Sequence, residues 1–152
     1  MARYGYGLLL PDVRREYDLD PVLGAIATAS YVAYLAATAL AGAFATRLGA
    51  RRTAVMAGLL AAAGMLVVGV SRTATVFAAG ILVAGASAGF AFAPFSDAAR
   101  AVPAAARGRV LVAINCGAGY GVALAAPIAI LAGAAWRSAW LAFAGLAVLA
   151  TT

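Results

Sequence analysis

Five apolar stretches, at about residues 22–46, 54–70, 76–96, 110–133 and 138–152, contain no acidic side chain. A helix rises about 1.5 Å per residue, so about 20 mostly apolar residues cross a hydrocarbon core of about 30 Å. Repetition of stretches of this size along the chain predicts an all-α integral membrane bundle. Composition agrees: 66% of the residues are hydrophobic and 11% charged, against about 25% charged in a soluble domain. A soluble core of this size cannot hide that much apolar surface. The 17 glycines and numerous alanines predict helices that approach through small residues, because lipid removes the hydrophobic drive between spans. A transmembrane β-barrel is excluded, since it needs segments of about 10 residues that alternate apolar and polar.

The formal charge is +6, and all basic residues are Arg, scattered between the apolar stretches. Such a distribution does not build the basic face that a nucleic acid requires, so no nucleic-acid partner is expected. The lone Cys116 excludes a disulfide framework within the chain, and the absence of His removes the usual metal ligand and general base. No metal centre and no cofactor are expected. A membrane enzyme would need a nucleophile with a base, or a metal site, and the stretches supply no His, no carboxylate and no Cys pair. The chain therefore reads as a non-enzyme.

The polar links set an orientation. Residues 11–21, PDVRREYDLDP, offset Arg14 and Arg15 with four acids, whereas the link at 46–53 carries Arg47, Arg51 and Arg52 with none. Arg72 lies in a short turn at 71–75, the link at 97–109 holds Arg100, Arg107 and Arg109, and Arg137 lies in a last short turn. Alternate links thus hold six Arg against four, which places 46–53 and 97–109 on the cytoplasmic side. Residues 1–10, MARYGYGLLL, must then arrive from the cytoplasm, yet ten helical residues span only about 15 Å. They read as the second half of a truncated first span, and the abrupt finish at Ala150, Thr151 and Thr152 reads as a second truncation.

The cytoplasmic link contains Gly42-Ala43-Phe44-Ala45-Thr46-Arg47-Leu48-Gly49-Ala50-Arg51-Arg52. It resembles the signature of the major facilitator superfamily: a glycine, three residues, Asp-Arg, one residue, Gly and then two or three basic residues, after the second helix. The glycines permit a tight turn and close helix approach, and the arginines can bridge carboxylates or helix C-termini at an inner gate. Two positions depart from the signature: Thr46 replaces its Asp and Ala50 its first basic residue, so the carboxylate used in the family's gate pairing is absent there. Asp97, after Pro94-Phe95-Ser96, is expected to substitute by contacting Arg47 or Arg51; the alternative is that it only solvates a loop end beside Arg100. Arg107-Gly108-Arg109 before the fifth stretch is similar to basic Arg-Gly pairs of the same superfamily.

The resemblance covers the whole chain and implies a bundle of about six transmembrane helices built as two inverted three-helix repeats. Residues 1–152 would form a single membrane domain, the amino-terminal half of a transporter of about twelve helices. Its helices would be 1–10 in part, 22–46, 54–70, 76–96, 110–133 and 138–152.

Solute sites in such transporters lie near the bilayer midplane, where inward polar side chains need a partner or a water-filled cavity. Arg3, about two turns from the outer end of a restored first helix, would bind a carboxylate bidentately. Its surroundings, Arg3-Tyr4-Gly5-Tyr6-Gly7 then Leu9-Leu10-Pro11, resemble the first helix of facilitators of small anions; alternatively residue 1 is the true start and Arg3 anchors a stub. Tyr31, Tyr34 and Thr38 fall within about 60° on one helix face, suited to an aromatic solute or, equally, to interhelical hydrogen bonding. Asn115 is the only carboxamide in the chain and is open to either role. Gly85 with Gly89 and Gly117 with Gly121 form small-xxx-small ridges expected to serve helix packing, Pro127 is expected to bend the outer half of its helix, and Cys116 reads as a small buried residue.

The expected function is secondary active or facilitative transport of a small organic solute, with an anion favoured, by alternating access. The competing reading is a non-transporting membrane module or an inactive piece of a split transporter. No span carries a carboxylate or His relay, so any proton site belongs to a missing half, or the solute gradient drives transport. The partners expected are the lipid bilayer, the solute, and a missing carboxy-terminal half or a second copy. All-Arg basic usage with abundant Ala and Gly suggests a bacterium with GC-rich codons and hence a multi-pass protein of its cytoplasmic membrane.

Overall fold

The computed structural model describes residues 7, 9, 13, 14, 16, 17, 22–133 and 135–151, without the side chains of residues 93, 98 and 118. Five helices follow one another: α1 (Leu23–Leu48), α2 (Ala50–Val70), α3 (Ala74–Ala101), α4 (Ala104–Ala132) and α5 (Trp136–Leu149). The isolated described residues from 7 to 17 are helical as well, and no strand occurs among the described residues. Helices α1 to α4 are long and apolar enough to cross a membrane. The 14 residues of α5 rise only about 21 Å. The chain is a multi-pass membrane bundle.

The helices overrun the expected links, because polar residues at a membrane surface remain good helix formers. The link expected at 46–53 shrinks to Gly49 between α1 and α2, and that expected at 97–109 shrinks to Val102 and Pro103 between α3 and α4. Pro103 lacks an N–H and cannot continue α3, but it suits the start of α4. The bundle therefore has two ends. One holds Gly49 and the α3–α4 break; the other holds the Ser71 turn and the α4–α5 break.

Small residues bring the helices together. A Cβ on Gly64 of α2 would lie 2.5 Å from the Ala84 nitrogen of α3, and one on Gly80 would lie 2.9 Å from the Val68 nitrogen. Against α1, a Cβ on Gly85 would lie 3.0 Å from the Ser30 carbonyl oxygen, and one on Gly89 would strike the Tyr34 carbonyl and lie 2.8 Å from the Thr38 nitrogen. Ala37, Ala41 and Ala45, one helical turn apart, form the buried stripe of α1. In lipid this proximity is what dispersion between spans requires.

Toward the Ser71 end the core becomes larger in side-chain size. Leu9, Val13, Met65, Phe77, Ile81, Trp136, Trp140 and Phe143 form one buried cluster. Phe77 meets Trp136 edge to face at 6.0 Å, and Trp140 meets Phe143 in the same manner at 5.9 Å.

Helix α3 is the centre of the packing, against α2 and α1, and α2 also packs on α5. Helix α4 touches α3 and α5 only lightly. Its Ile130 and Leu131 are 78% and 87% exposed, which suits a face toward lipid or another protein surface and not toward water.

Candidate functional site

The turn between α1 and α2 depends on one residue. Gly49 has φ 84° and ψ 158°, a region closed to residues with a Cβ. Its N–H donates to the Ala45 carbonyl at 3.0 Å, and its carbonyl accepts from the Thr53 N–H at 3.2 Å and the Thr53 hydroxyl at 3.0 Å. The helices are thus chained end to end without an intervening loop. Gly42 differs from its expected role: it lies inside α1, exposed, with open space where a Cβ would stand. It neither turns the chain nor admits a close neighbour among the described residues.

The Thr46 hydroxyl, at the signature's carboxylate position, donates to the Ala43 carbonyl of its own helix at 2.8 Å. Arg47, Arg51 and Arg52 are exposed. Asp97 accepts from Arg100 at 3.2 Å, one turn along α3, and not from Arg47 or Arg51. A partner three residues away on the same helix is reached without ordering a second segment. The contact that crosses from α1 to α3 near this end is aromatic, Phe44 on Phe90 at 5.6 Å.

A groove of about 1020 Å³ occupies the half of the bundle nearer Gly49. Residues from Arg51 to Met65 of α2, from Ser87 to Phe95 of α3 and from Phe143 to Leu149 of α5 line it, with Tyr34 of α1 and Leu124 of α4. Its walls are mostly apolar. The Ser87 hydroxyl donates to the Ala84 carbonyl at 2.7 Å and that of Thr151 to the Ala147 carbonyl at 2.6 Å, so both spend their hydrogen on their own chain. Among the described residues Arg51, near the Gly49 end, contributes the only charge to the lining. Beside it a shallower depression of about 510 Å³ is lined by Leu48, Arg51, Arg52, Val55 and Met56.

The expected solute residues are dispersed. Arg3 lies outside the described residues. Tyr34 lines the groove; Tyr31 is exposed on the bundle surface. The Thr38 hydroxyl donates to the Tyr34 carbonyl at 2.8 Å. Asn115 is exposed on α4 and donates to the Leu111 carbonyl at 2.8 Å, and its neighbour Cys116 is exposed rather than buried. Gly85 and Gly89 lie within the α1–α3 contact, whereas a Cβ on Gly117 would meet open space and Gly121 is half-buried. The ridge on α4 thus differs from that on α3, because α4 stands away from its neighbours.

The densest polar contact lies at the Ser71 end, where sequence reasoning had placed no site. Arg137 donates from Nη2 to Glu16 Oε1 at 2.6 Å and from Nη1 to Glu16 Oε2 at 3.0 Å. Its Nε and Nη2 also donate to the Ser71 carbonyl, at 3.1 and 3.0 Å. Trp136 Nε1 donates to Glu16 Oε2 at 2.9 Å. The Tyr17 hydroxyl accepts from Arg137 Nη2 at 2.8 Å and donates to the Ser71 carbonyl at 2.9 Å. Hydrogen bonding from Arg137, against a smaller opposing desolvation, holds the Glu16 carboxyl below its ordinary range, with Trp136 and the Arg137 charge adding to it. The available signal was an acid-rich link on the same side of the bundle as a Trp-Arg pair.

A search against family models matches the Major Facilitator Superfamily over residues 1–152. Neither the curated proteins nor the solved structures gave a match. The matched length, the all-helical apolar bundle and the glycine turn flanked by Arg47, Arg51 and Arg52 agree: the chain belongs to the major facilitator superfamily of membrane transporters.

Proposed function

We propose that the chain takes part in secondary active or facilitative transport of a small organic anion by alternating access. The observation that carries this reading is the apolar groove with Arg51 at one end and Tyr34 deeper along it. An arginine beside apolar walls suits a solute with a carboxylate and a hydrocarbon or aromatic body, since the guanidinium presents a planar fork to two oxygens. In this reading the Gly49 end faces the cytoplasm, in keeping with its six arginines. A carboxy-terminal half or a second copy then completes the transport cavity, and the exposed apolar face of α4 meets either that partner or the lipid.

The test is uptake of a panel of labelled small organic anions into liposomes containing the inserted chain, with and without any neighbouring six-span product. Wild type is compared with Arg51→Ala and Arg51→Lys. Saturable uptake that falls at least about tenfold in Arg51→Ala is expected, since about 1.4 kcal/mol of lost binding is a factor of ten. Absence of uptake from every preparation, with insertion confirmed, supports instead a non-transporting module. Uptake indifferent to Arg51 overturns the groove assignment.

A further inference from the structure

We propose that Arg137 is a positioning residue that fastens the segment preceding α1 to the end of α2 and the start of α5, making the Ser71 end of the bundle one unit. The inference rests on the transport reading only for its consequence, not for the fastening itself.

Three parts of the chain far apart in sequence converge on one guanidinium. Glu16 and Tyr17 come from the segment before α1, Ser71 caps α2, and Trp136 and Arg137 open α5. The Ser71 carbonyl belongs to the C-terminal end of α2, where unpaired carbonyls concentrate negative partial charge and a cation is favoured. Both oxygens of Glu16 are engaged by the Arg137 fork, and one of them also by the Trp136 indole. A fork matched to a carboxylate fixes direction as well as distance.

The aromatic rings fix the remaining freedom. The Arg137 guanidinium lies 4.6 Å from the Trp136 ring centroid, within cation–π range. Tyr17, Phe77 and Trp136 form a triangle with centroid separations of 5.9 to 6.0 Å, which brings α3 into the same cluster. Beneath it, Leu9 and Val13 are buried at helical spacing with Tyr17, so the fastening and the buried side chains lie on one face of the described residues.

The other end of the bundle has nothing equivalent among the described residues. Its ion pair, Asp97 with Arg100, joins two turns of one helix, and the groove opens beside Arg51. Arg137 thereby makes the described parts of the Ser71 end move as one unit when the bundle shifts against its surroundings.

The test uses the two tryptophans of the chain. Trp140 Nε1 has no acceptor among the described residues, so Trp140→Phe sacrifices no hydrogen bond there and leaves Trp136 as the single tryptophan, excited selectively over the tyrosines. Its fluorescence is titrated with pH in lipid nanodiscs of the full chain. The groups meeting Glu16 are Arg137 and Trp136 from α5, and Tyr17 and Ser71 complete the network; of these only Glu16 titrates between pH 2 and 7. A transition below the ordinary glutamate range is expected, absent in Glu16→Gln and moved upward in Arg137→Gln.

Positioning is read by cross-linking Tyr17→Cys to Ser71→Cys with a short bifunctional maleimide in a Cys116→Ala background, since a contact made through the Tyr17 hydroxyl sets the two backbones farther apart than a direct disulfide spans. The background with Arg137 intact should cross-link fast and nearly completely, and adding Arg137→Gln should slow cross-linking at least fivefold, with Arg137→Lys intermediate. Identical titration and cross-linking with and without Arg137 would overturn the proposal. Uptake in the same preparations separates the two readings. If wild type transports, Arg137→Gln should lower the maximal rate with half-saturation changed less than twofold; if no preparation transports, the transport reading fails while titration and cross-linking still decide the fastening.

Discussion

Two glycine-to-alanine substitutions of identical chemistry should have opposite consequences. At Gly89 the new Cβ would meet the Tyr34 carbonyl, lie 2.8 Å from the Thr38 nitrogen and 2.9 Å from Ala37 Cβ. Ordinary contacts there begin near 3.4 Å, so α1 and α3 must separate by about half an ångström or more. The opposing atoms are mostly backbone and cannot rotate away. A gap of about 0.5–1 Å forfeits a quarter to a half of each dispersion contact, and overpacking in a well-packed core costs about 1–3 kcal/mol. The helix-propensity gain of alanine, about 0.8–1 kcal/mol in water, offsets little in a membrane, where the separated helices keep their backbone bonds. At Gly117 the Cβ meets open space, so the same substitution should be neutral or slightly stabilising. The assay is denaturation in mild detergent by increasing sodium dodecyl sulfate, followed by the emission of the buried Trp136 and Trp140. Gly89→Ala should unfold at clearly lower denaturant than wild type and Gly117→Ala at the same or higher. Equal destabilisation by both would refute the reasoning, since it would mean that α4 packs through Gly117 as tightly as α3 through Gly89.

The same detergent titration checks Gly49→Ala. With φ 84° and ψ 158° and no neighbour near the new Cβ, the cost is backbone strain alone, about 1–3 kcal/mol, and Gly49→Asn should suffer comparably because this region is not the left-handed helical well that Asn tolerates. For the Glu16–Arg137 pair the sign follows from a depressed carboxylate: the stabilisation is present above the unfolded pKa of about 4.3 and disappears as pH falls through the lower folded value. Both side chains are more than a third exposed, at 38% and 36%, so solvent screening limits the effect to about 1 kcal/mol. Stability measured between pH 7 and pH 3 should therefore fall less in Glu16→Gln than in wild type; an equal or steeper fall would contradict the pairing.

The two kinds of information divide along a physical line. Helix formation depends on local composition, so the acid-free apolar stretches located the five described helices, four of them long enough to cross a membrane, and the Arg-rich segments marked the breaks at Gly49 and at Val102–Pro103 without their extent. The glycine turn was also legible, because Gly49 with Arg47, Arg51 and Arg52 forms a contiguous pattern. Rotation of each helix about its own axis is a different matter. A span that is apolar all round has no polar face to mark its outside, so nothing local distinguishes Gly89, pressed against Tyr34 and Thr38, from Gly117 in open space. Asp97 likewise had several arginines within plausible reach, and the nearest on its own helix prevailed. Only the tertiary structure brings Glu16 to Arg137 across 121 residues and leaves the groove between α2, α3 and α5, because both arise from how whole helices are set against one another.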